Sequence, residues 1–521
     1  MQELYRPQRR MSRELRKVRL VEVCRICEKS ADFRIKSNGK HDKQSTNARH
    51  QKNDERGEEE KVTYEEFLAS KEVESINSGL DATDEELNPN LFPFQRDIVK
   101  FALRKGRSAI FSDCGTGKTI LQLDFARLVC EKTGCKALII APLSVVNQTR
   151  KEGIKFGIPS KVVRDQSQVA DGINITNYEI LDHFDPDAFD CVVLDESSIL
   201  KSFTSSTRNE LIDAFARTPY KLCCSATPAP NDTSELANTV EFLGIMSRTE
   251  LLATYFIHDG SDTSKWRLKG YGEKKFWEFM ATIAVCVRNP ADLGYSAEGY
   301  ELPKLNIIKH IVKSEPKEYE LVAKRAETLS ERREARKESM ADRVEVARQL
   351  ADSSDESWLI WCDYNAESSM LKKAVANSVE IVGGDSPEAK AETALDFAEG
   401  KIHALVSKPS IYGFGMNFQT CHNMVFCGIS DSYESFYQAI RRCWRYGQEH
   451  EVDVHVIISE AEMNVLENIE RKQALMDEMQ NRMVALMRDV TMSEIKHTTR
   501  ITDEYTQLDN ITIPTWLKGN A

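Results

Sequence analysis

The stretch SAIFSDCGTGKT, residues 108–119, decides how this chain folds. The apolar run at 108–111 predicts a buried strand, the two glycines predict a tight turn, and the apolar periodicity through Leu128 predicts a helix. In that order the three elements form a phosphate-binding loop, because glycine lets backbone N–H groups approach phosphates and the helix N-terminus favours negative charge. The sequence therefore predicts a nucleotide site on an α/β sheet.

The predicted loop assigns a role to each of its residues. Lys118 is expected to reach the β- and γ-phosphates, and Thr119 is expected to bind Mg²⁺. The other predicted contacts with the nucleotide come from Asp113, Cys114, Gly115, Thr116 and Gly117. The usual motif begins with glycine where this chain has Ser112. A lysine-bearing helix cap is therefore the alternative interpretation of the same residues.

A second apolar strand, predicted at 191–194, ends in the carboxylates Asp195 and Glu196. A carboxylate at the tip of a neighbouring parallel strand can hold Mg²⁺, directly or through water. An adjacent glutamate can polarise the attacking water. We expect Thr119 and Asp195 to bind the metal and Glu196 to be catalytic.

Short apolar runs alternate with helix-length segments along most of the chain, as in α/β units around a parallel sheet. One series of candidate strands comprises 108–111, 137–141, 173–176, 191–194 and 221–225, and a second comprises 358–361, 379–382, 404–407, 424–427 and 454–458. The two series predict two lobes. The highly charged residues 317–348 between them predict a helical insertion.

Taken together, these segments resemble the ordered motifs of superfamily-two helicases, and most closely those of the Swi/Snf branch. The upstream glutamine motif matches 91–96, and motifs Ia, III, IV, V and VI match 141–146, 224–228, 358–362, 413–418 and 438–448. The resemblance implies an α/β fold of two RecA-like parallel-sheet lobes with helical insertions and a helical C-terminal segment. One departure is Ser198, which stands where many relatives carry histidine.

The resemblance also implies roles for residues outside the loop. Gln95 would contact the adenine, Gln438 would belong to the catalytic set, and Arg442 and Arg445, rather than Arg441, would stabilise the leaving γ-phosphate. An arginine of that kind contributes on the order of 10³–10⁵ in rate. The residues implied in coupling and nucleic-acid binding are Pro142, Ser225, Ala226, Thr227, Gly415 and Asn417.

The predicted domain organisation follows these changes in composition. It consists of a basic and polar N-terminal segment at 1–62, an ATP-binding lobe at 63–245, a connector with the charged helical insertion at 246–350, a second lobe at 351–460 and a helical C-terminal segment at 461–521. Flexibility is predicted for the first part, because so polar a composition cannot bury enough apolar surface to offset ordering.

The N-terminal segment holds Cys24 and Cys27, with His41 and His50 downstream. Four such residues can bind Zn²⁺, but the intervals between them are longer than those of a common zinc finger. A zinc site and a pair of reduced thiols are the two hypotheses for this segment.

The formal net charge of −12 argues against a protein whose whole surface coats nucleic acid, although a local basic cleft is compatible with it. The 13 cysteines are odd in number and scattered, which fits a reducing compartment better than a disulfide framework. No run approaches the ~20 apolar residues of a membrane span, and the start lacks the apolar stretch of a signal peptide. The protein is expected to be cytoplasmic, in the host cytoplasm if it is viral, and its size would suit a phage or bacterial origin.

These features predict an ATP-dependent nucleic-acid motor that uses ATP and Mg²⁺. It would be a DNA-stimulated ATPase, a helicase or a double-stranded DNA translocase. The resemblance favours duplex DNA over RNA as the partner. The alternatives are a DEAD-box-like RNA helicase and a nucleotide-dependent binding or scaffold protein with degenerate catalysis.

Overall fold

The computed structural model describes residues 77–202, 205–258, 266–313, 328–412 and 417–496. All of them lie within the second of the chain's two units, Glu72–Ala521. Cys24 and Cys27 lie outside the described residues, so the zinc hypothesis stays a prediction. Gly415 lies outside them as well.

The first sheet contains the phosphate-loop strand and six others. Its strands are β1 (Arg107–Ser112), β2 (Lys136–Ala141), β3 (Ser160–Val162), β4 (Gly172–Asn177), β5 (Cys191–Asp195), β6 (Tyr220–Ser225) and β9 (Ala284–Val287). The intervening strands β7 (Phe256–His258) and β8 (Trp266–Leu268) form a separate antiparallel pair. The order across this sheet is β3-β4-β2-β5-β6-β1-β9, and every pairing in it is parallel. Because parallel strands end at one edge, the residues that follow β1 and β5 meet there.

The second sheet has six parallel strands. They are β10 (Leu305–Val312), β11 (Trp358–Trp361), β12 (Ser378–Glu380), β13 (Ala404–Ser407), β14 (Asn423–Cys427) and β15 (Val452–Ser459), in the spatial order β10-β15-β14-β11-β13-β12. The central strands of both sheets are mostly apolar and buried, as expected where helices cover both faces.

Helices flank both sheets. Those of the first lobe are α1 (Pro93–Lys105), α2 (Lys118–Thr133), α3 (Leu143–Lys155), α4 (Ser206–Ala214), α5 (Leu236–Leu243), α6 (Arg248–Tyr255) and α7 (Glu273–Ile283). Those that follow are α8 (Leu329–Glu338), α9 (Met340–Ala351), α10 (Asn365–Ala374), α11 (Pro387–Ala398), α12 (Pro409–Tyr412), α13 (Tyr433–Ile440) and α14 (Met463–Lys496). No helix in the described ranges combines the length and apolarity needed to cross a membrane.

The last helix, α14, joins the two lobes. It follows β15 of the second sheet and packs against α7 and β9 of the first lobe. Four of its methionines, spaced so that they share one face, are buried: Met476, Met479, Met483 and Met487. Gln480 Nε2 donates a hydrogen bond to the Ala226 carbonyl, 3.3 Å away, at the end of the first sheet.

The two-lobed α/β fold with parallel sheets is confirmed, and every strand of the two predicted series is present. The segment 246–350, predicted as a connector with a helical insertion, also contributes a strand to each sheet. β9 pairs with β1 in the first sheet, and β10 pairs with β15 in the second. β9 went unpredicted because it follows α7 directly, without turn residues to mark its start.

Candidate nucleotide-binding site

The loop between β1 and α2 has a backbone that only glycine adopts easily. Gly115 and Gly117 have φ values of 92° and 90°, in the left-handed region where a side chain is strained. Space is also short at both positions. A Cβ at Gly117 would lie 2.3 Å from Gln95 Nε2, and a Cβ at Gly115 would lie 3.1 Å from the Tyr446 backbone nitrogen. Both glycines are therefore required by conformation and by close packing.

Lys118 is held by the carbonyl groups of its own loop. Its Nζ donates to the Ser112 carbonyl at 2.8 Å and to the Asp113 carbonyl at 3.2 Å. The Thr116 hydroxyl donates to the same Asp113 carbonyl at 2.7 Å. These bonds define the position of the ammonium group at the N-terminus of α2, where phosphate binding is expected. Serine in place of the first glycine leaves this arrangement intact.

Two carboxylates follow the neighbouring strand, as the sequence predicted. Asp195 ends β5 and is 5 % exposed. Burial raises the pKa of Asp195, against the opposing charge of Lys118. Burial also raises the pKa of Glu196 to about 7, again opposed by Lys118 and reinforced by Asp195. Such a carboxyl group changes its charge near neutral pH, which suits proton transfer.

The backbone also positions Glu196 in an unusual way. Its φ of 53° lies in the left-handed region, which is uncommon for a residue with a side chain. The Tyr178 hydroxyl donates to the Asp195 carbonyl at 2.7 Å and fixes the end of the strand just before this turn. Strained backbone of this kind often occurs at functional sites.

One pocket brings residues of both lobes together. Those predicted from the sequence that line it are Cys114, Gly115, Gly117, Lys118, Thr119, Asp195, Glu196, Arg442 and Arg445. Three lining residues were not predicted: Val145, Gln148 and Glu152. They lie on α3, with Val145 inside the predicted motif Ia and the other two just after it, at a spacing that puts all three on one helical face. That spacing is the signal that could have identified them.

The two arginines stand close together on the second-lobe side of the pocket. Arg442 donates from Nε to the Gln438 carbonyl at 2.9 Å and from Nη2 to Gln438 Oε1 at 3.1 Å. Burial lowers the pKa of Arg445 to about 10, and the positive charge of Arg442 adds to that effect. Two neighbouring cations in a buried position form a favourable site for an anion. Gln438 itself is fully buried and supports Arg442.

Gln95 lies against the loop but is not among the residues that line the pocket. Its Oε1 accepts a hydrogen bond from the Phe92 N–H at 2.9 Å, which caps the N-terminus of α1. Its Nε2 donates to the Thr116 carbonyl at 2.8 Å. These two bonds leave one N–H and one lone pair of the Gln95 amide available for an adenine. That contact stays a prediction.

Of the residues predicted to couple hydrolysis to nucleic acid, those that the structure describes lie outside this pocket. The Thr227 N–H donates to Ser225 Oγ at 3.0 Å beyond β6, and the Ala226 carbonyl accepts from Gln480 of α14. Pro142 precedes α3, and Asn417 is exposed. Their roles stay predictions.

The metal prediction fits the residues that are present. Thr119 and Asp195 line the same pocket, and Mg²⁺ usually takes only one or two protein ligands when it binds with phosphates. Among the described residues there is no group of three or more His, Cys, Asp or Glu side chains that could hold a metal ion alone.

Known proteins match this chain in both lobes. The family model described as SNF2-related domain matches residues 94–256, and the Helicase conserved C-terminal domain matches residues 342–447. Together the two ranges cover just over half of the chain and include the pocket residues.

The relatives are much longer proteins. The SWI/SNF-related matrix-associated actin-dependent regulator of chromatin subfamily A-like protein 1 of Xenopus tropicalis is 31% identical over 169 residues, which are 30% of this chain and 18% of that protein. The DNA annealing helicase and endonuclease ZRANB3 of Bos taurus is 27% identical over 183 residues, 32% of this chain and 17% of that protein. The matches thus span less than a fifth of either relative.

A solved structure, the Sulfolobus solfataricus SWI2/SNF2 ATPase core in complex with dsDNA, aligns with a TM-score of 0.38 at 14% identity. The alignment covers 79% of this chain and 97% of that one.

Proposed function

Because the chain belongs to the Swi/Snf-like branch of the superfamily-two helicases, we propose that it hydrolyses ATP between its two lobes and moves along duplex DNA. The observation that supports this best is the shared pocket, in which Lys118 and Glu196 of the first lobe face Arg442 and Arg445 of the second. A site divided between two lobes is complete only in one arrangement of them. Hydrolysis and lobe movement would therefore be coupled.

The first lobe would bind and activate the substrate. Lys118 and the N-terminus of α2 would hold the phosphates, and the Thr119 hydroxyl and Asp195 carboxylate would hold Mg²⁺. The bound ion would neutralise charge on the β- and γ-phosphate oxygens. Glu196 would orient the attacking water and accept its proton, a role that matches a pKa of about 7.

The second lobe would stabilise the transition state. Arg442 and Arg445 would neutralise the charge that develops on the γ-phosphoryl group, and Gln438 would keep Arg442 in place through its two hydrogen bonds. After hydrolysis this attraction is lost, so the lobes can separate. Repeated closing and opening would advance the protein along the nucleic acid.

Duplex DNA is the proposed partner. The relative from Bos taurus is named a DNA annealing helicase. Pro142 and Asn417, together with Gly415, would contact the sugar-phosphate backbone, which carries little sequence information. Ser225 and Thr227 are buried and would couple this surface to hydrolysis rather than contact the DNA. The bond from Gln480 of α14 to Ala226 supports a mechanical connection between this region and the second lobe. The proposed location is the cytoplasm.

The experiment that tests this function compares the ATPase rate without nucleic acid and with duplex DNA, single-stranded DNA or RNA. Duplex DNA is expected to raise kcat the most. The Lys118→Ala variant serves as the matched control, since it removes the phosphate-binding ammonium group and should abolish hydrolysis under every condition.

Each alternative predicts a different result. Stimulation by RNA alone would favour an RNA helicase. Binding of ATP without hydrolysis would favour a scaffold protein. Hydrolysis that no nucleic acid changes would rule out the motor while leaving the ATPase in place.

A further inference from the structure

One face of helix α13 makes direct contacts with both nucleotide-binding segments of the first lobe. Glu434, Tyr437, Gln438 and Arg441 follow the spacing i, i+3, i+4, i+7 and therefore lie on one side of the helix and its C-terminal end. Each of them contacts a residue of the first lobe. The catalytic arginines follow this face directly in the sequence.

The C-terminal half of this face contacts the phosphate loop. Arg441 Nη2 lies 3.0 Å from Asp113 Oδ2 and donates to the Cys114 carbonyl at 2.6 Å. The Tyr437 hydroxyl donates to Asp113 Oδ1. The Cys114 thiol lies 3.8 Å from Gln438 Oε1. The loop that would surround the phosphates is thus bound from outside by the second lobe.

The N-terminal half contacts the residues that follow the carboxylate pair. Glu434 Oε1 accepts a hydrogen bond from the Ser198 hydroxyl at 2.5 Å, and Glu434 Oε2 pairs with Lys201. Ser198 and Lys201 belong to the short helical turn, Ser197–Lys201, that begins just after Glu196.

The charges on this face give the contact a direction. An anion at one end, Glu434, meets the cation Lys201, and a cation at the other end, Arg441, meets the anion Asp113. Because Glu434 and Arg441 are seven residues apart, about two helical turns, shifting the helix by one turn would separate both from their partners. The Arg441–Asp113 pair is shielded from water, since its side chains are 2 % and 17 % exposed, whereas in the other pair Glu434 is 13 % and Lys201 is 36 % exposed. A buried charge that loses its partner is strongly destabilised.

We propose that Arg441 and Glu434 are positioning residues that dock α13 on the first lobe in one register, so that Arg442 and Arg445 face the phosphate pocket. Arg441 does not act on the γ-phosphate in this scheme. It binds the loop from the outside while its neighbour Arg442 lines the pocket. The inference rests on the proposed ATPase function and assigns a role to a residue that the sequence motifs leave without one.

The test compares Arg441→Met with Arg441→Lys, which keeps the charge beside Asp113. Arg441→Met is expected to lower kcat by about 10- to 100-fold, because a displacement of about 1 Å in a catalytic group has effects of that order. KM for ATP is expected to stay within about threefold, because Lys118 and the loop glycines remain. Arg441→Lys is expected to restore part of kcat. Arg471→Met is the matched control, since Arg471 is exposed and, within the described residues, donates a hydrogen bond to Asn468 three residues away and to no other side chain.

A second measurement does not depend on catalysis. Amide hydrogen exchange of residues 112–119 is expected to be faster in Arg441→Met than in the parent protein and unchanged in Arg471→Met. If the parent hydrolyses no ATP, the proposed function fails, whereas the exchange rates still test the docking. If Arg441→Met does not fold, Tyr437→Phe removes only one hydroxyl and is expected to give a smaller change in the same direction.

Unchanged kcat together with unchanged exchange would overturn the proposal. So would a parallel loss of kcat, ATP affinity and thermal stability that Arg441→Lys does not relieve, because that pattern indicates a general packing role.

Discussion

The two walls of the pocket are built in different ways. The loop wall, residues 113–119 with Asp195 and Glu196, takes its shape from its own backbone. Two left-handed glycines form the turn, and loop carbonyls hold Lys118. The arginine wall, residues 438–445, is positioned by contacts that cross to the other lobe. In the proposed mechanism, binding of the substrate is thus encoded locally, whereas stabilisation of the transition state depends on how the lobes dock.

The arginine wall is expected to show the largest effect. Arg445→Ala should lower kcat by about 10³- to 10⁵-fold, the range for an arginine that stabilises the transferred phosphoryl group. The affinity for a non-hydrolysable ATP analogue should change far less. Single-turnover hydrolysis and equilibrium binding measure the two quantities. Arg471→Ala is the control. A loss of affinity as large as the loss of kcat would show that Arg445 acts in ATP binding, as the loop wall does, and would contradict its role in the transition state.

The loop wall is expected to respond through binding. Gly117→Ala combines a φ of 90° with a Cβ that would lie 2.3 Å from Gln95 Nε2. Gly134→Ala has a φ of 71° and nothing within 4 Å of its Cβ. Both changes should cost about 1–2 kcal/mol in backbone strain. Only Gly117→Ala should also distort the loop and lower kcat/KM, by about 100-fold.

Thermal unfolding and kcat/KM for ATP separate these two contributions. Equal kcat/KM values for the two variants would show that the close contact with Gln95 has no role in nucleotide binding.

The smallest effect concerns the protonation of Glu196. Burial raises the pKa of Glu196 to about 7, and its carboxylate form is the one that accepts a proton. The rate should therefore be near its full value at pH 8 and about half of it at pH 7, and should fall by about tenfold between pH 8 and pH 6. Glu196→Gln should be slow and independent of pH over this range. A parent profile that is flat from pH 6 to 8 would contradict the assigned role.

The loop wall was predictable from the sequence because the residues that specify it lie close together along the chain. Glycines, a lysine and an apolar strand within twelve residues specify the turn, and Asp195 and Glu196 directly follow a second strand. Arg442 and Arg445 required the resemblance to a family. The contact of Arg441 with Asp113 joins residues 328 positions apart, and no local pattern shows such a pair.

The buried ion pairs between side chains of the second lobe could not be predicted from the sequence either. The charged segment 317–348 was expected to be a helical insertion, and it contains Arg336 and Arg343. Arg343 is fully buried and pairs with Glu367 and Glu462. A sequence shows that a residue is charged, but its burial depends on partners brought together by the fold.

Triplex displacement detects movement along duplex DNA, because a protein that moves along the duplex removes a third strand in its path without separating the duplex. We expect ATP-dependent release of the third strand by the parent protein and none by Arg445→Ala. Release that is equally fast without ATP, or no release by a parent that hydrolyses ATP on duplex DNA, would contradict the proposed movement along duplex DNA.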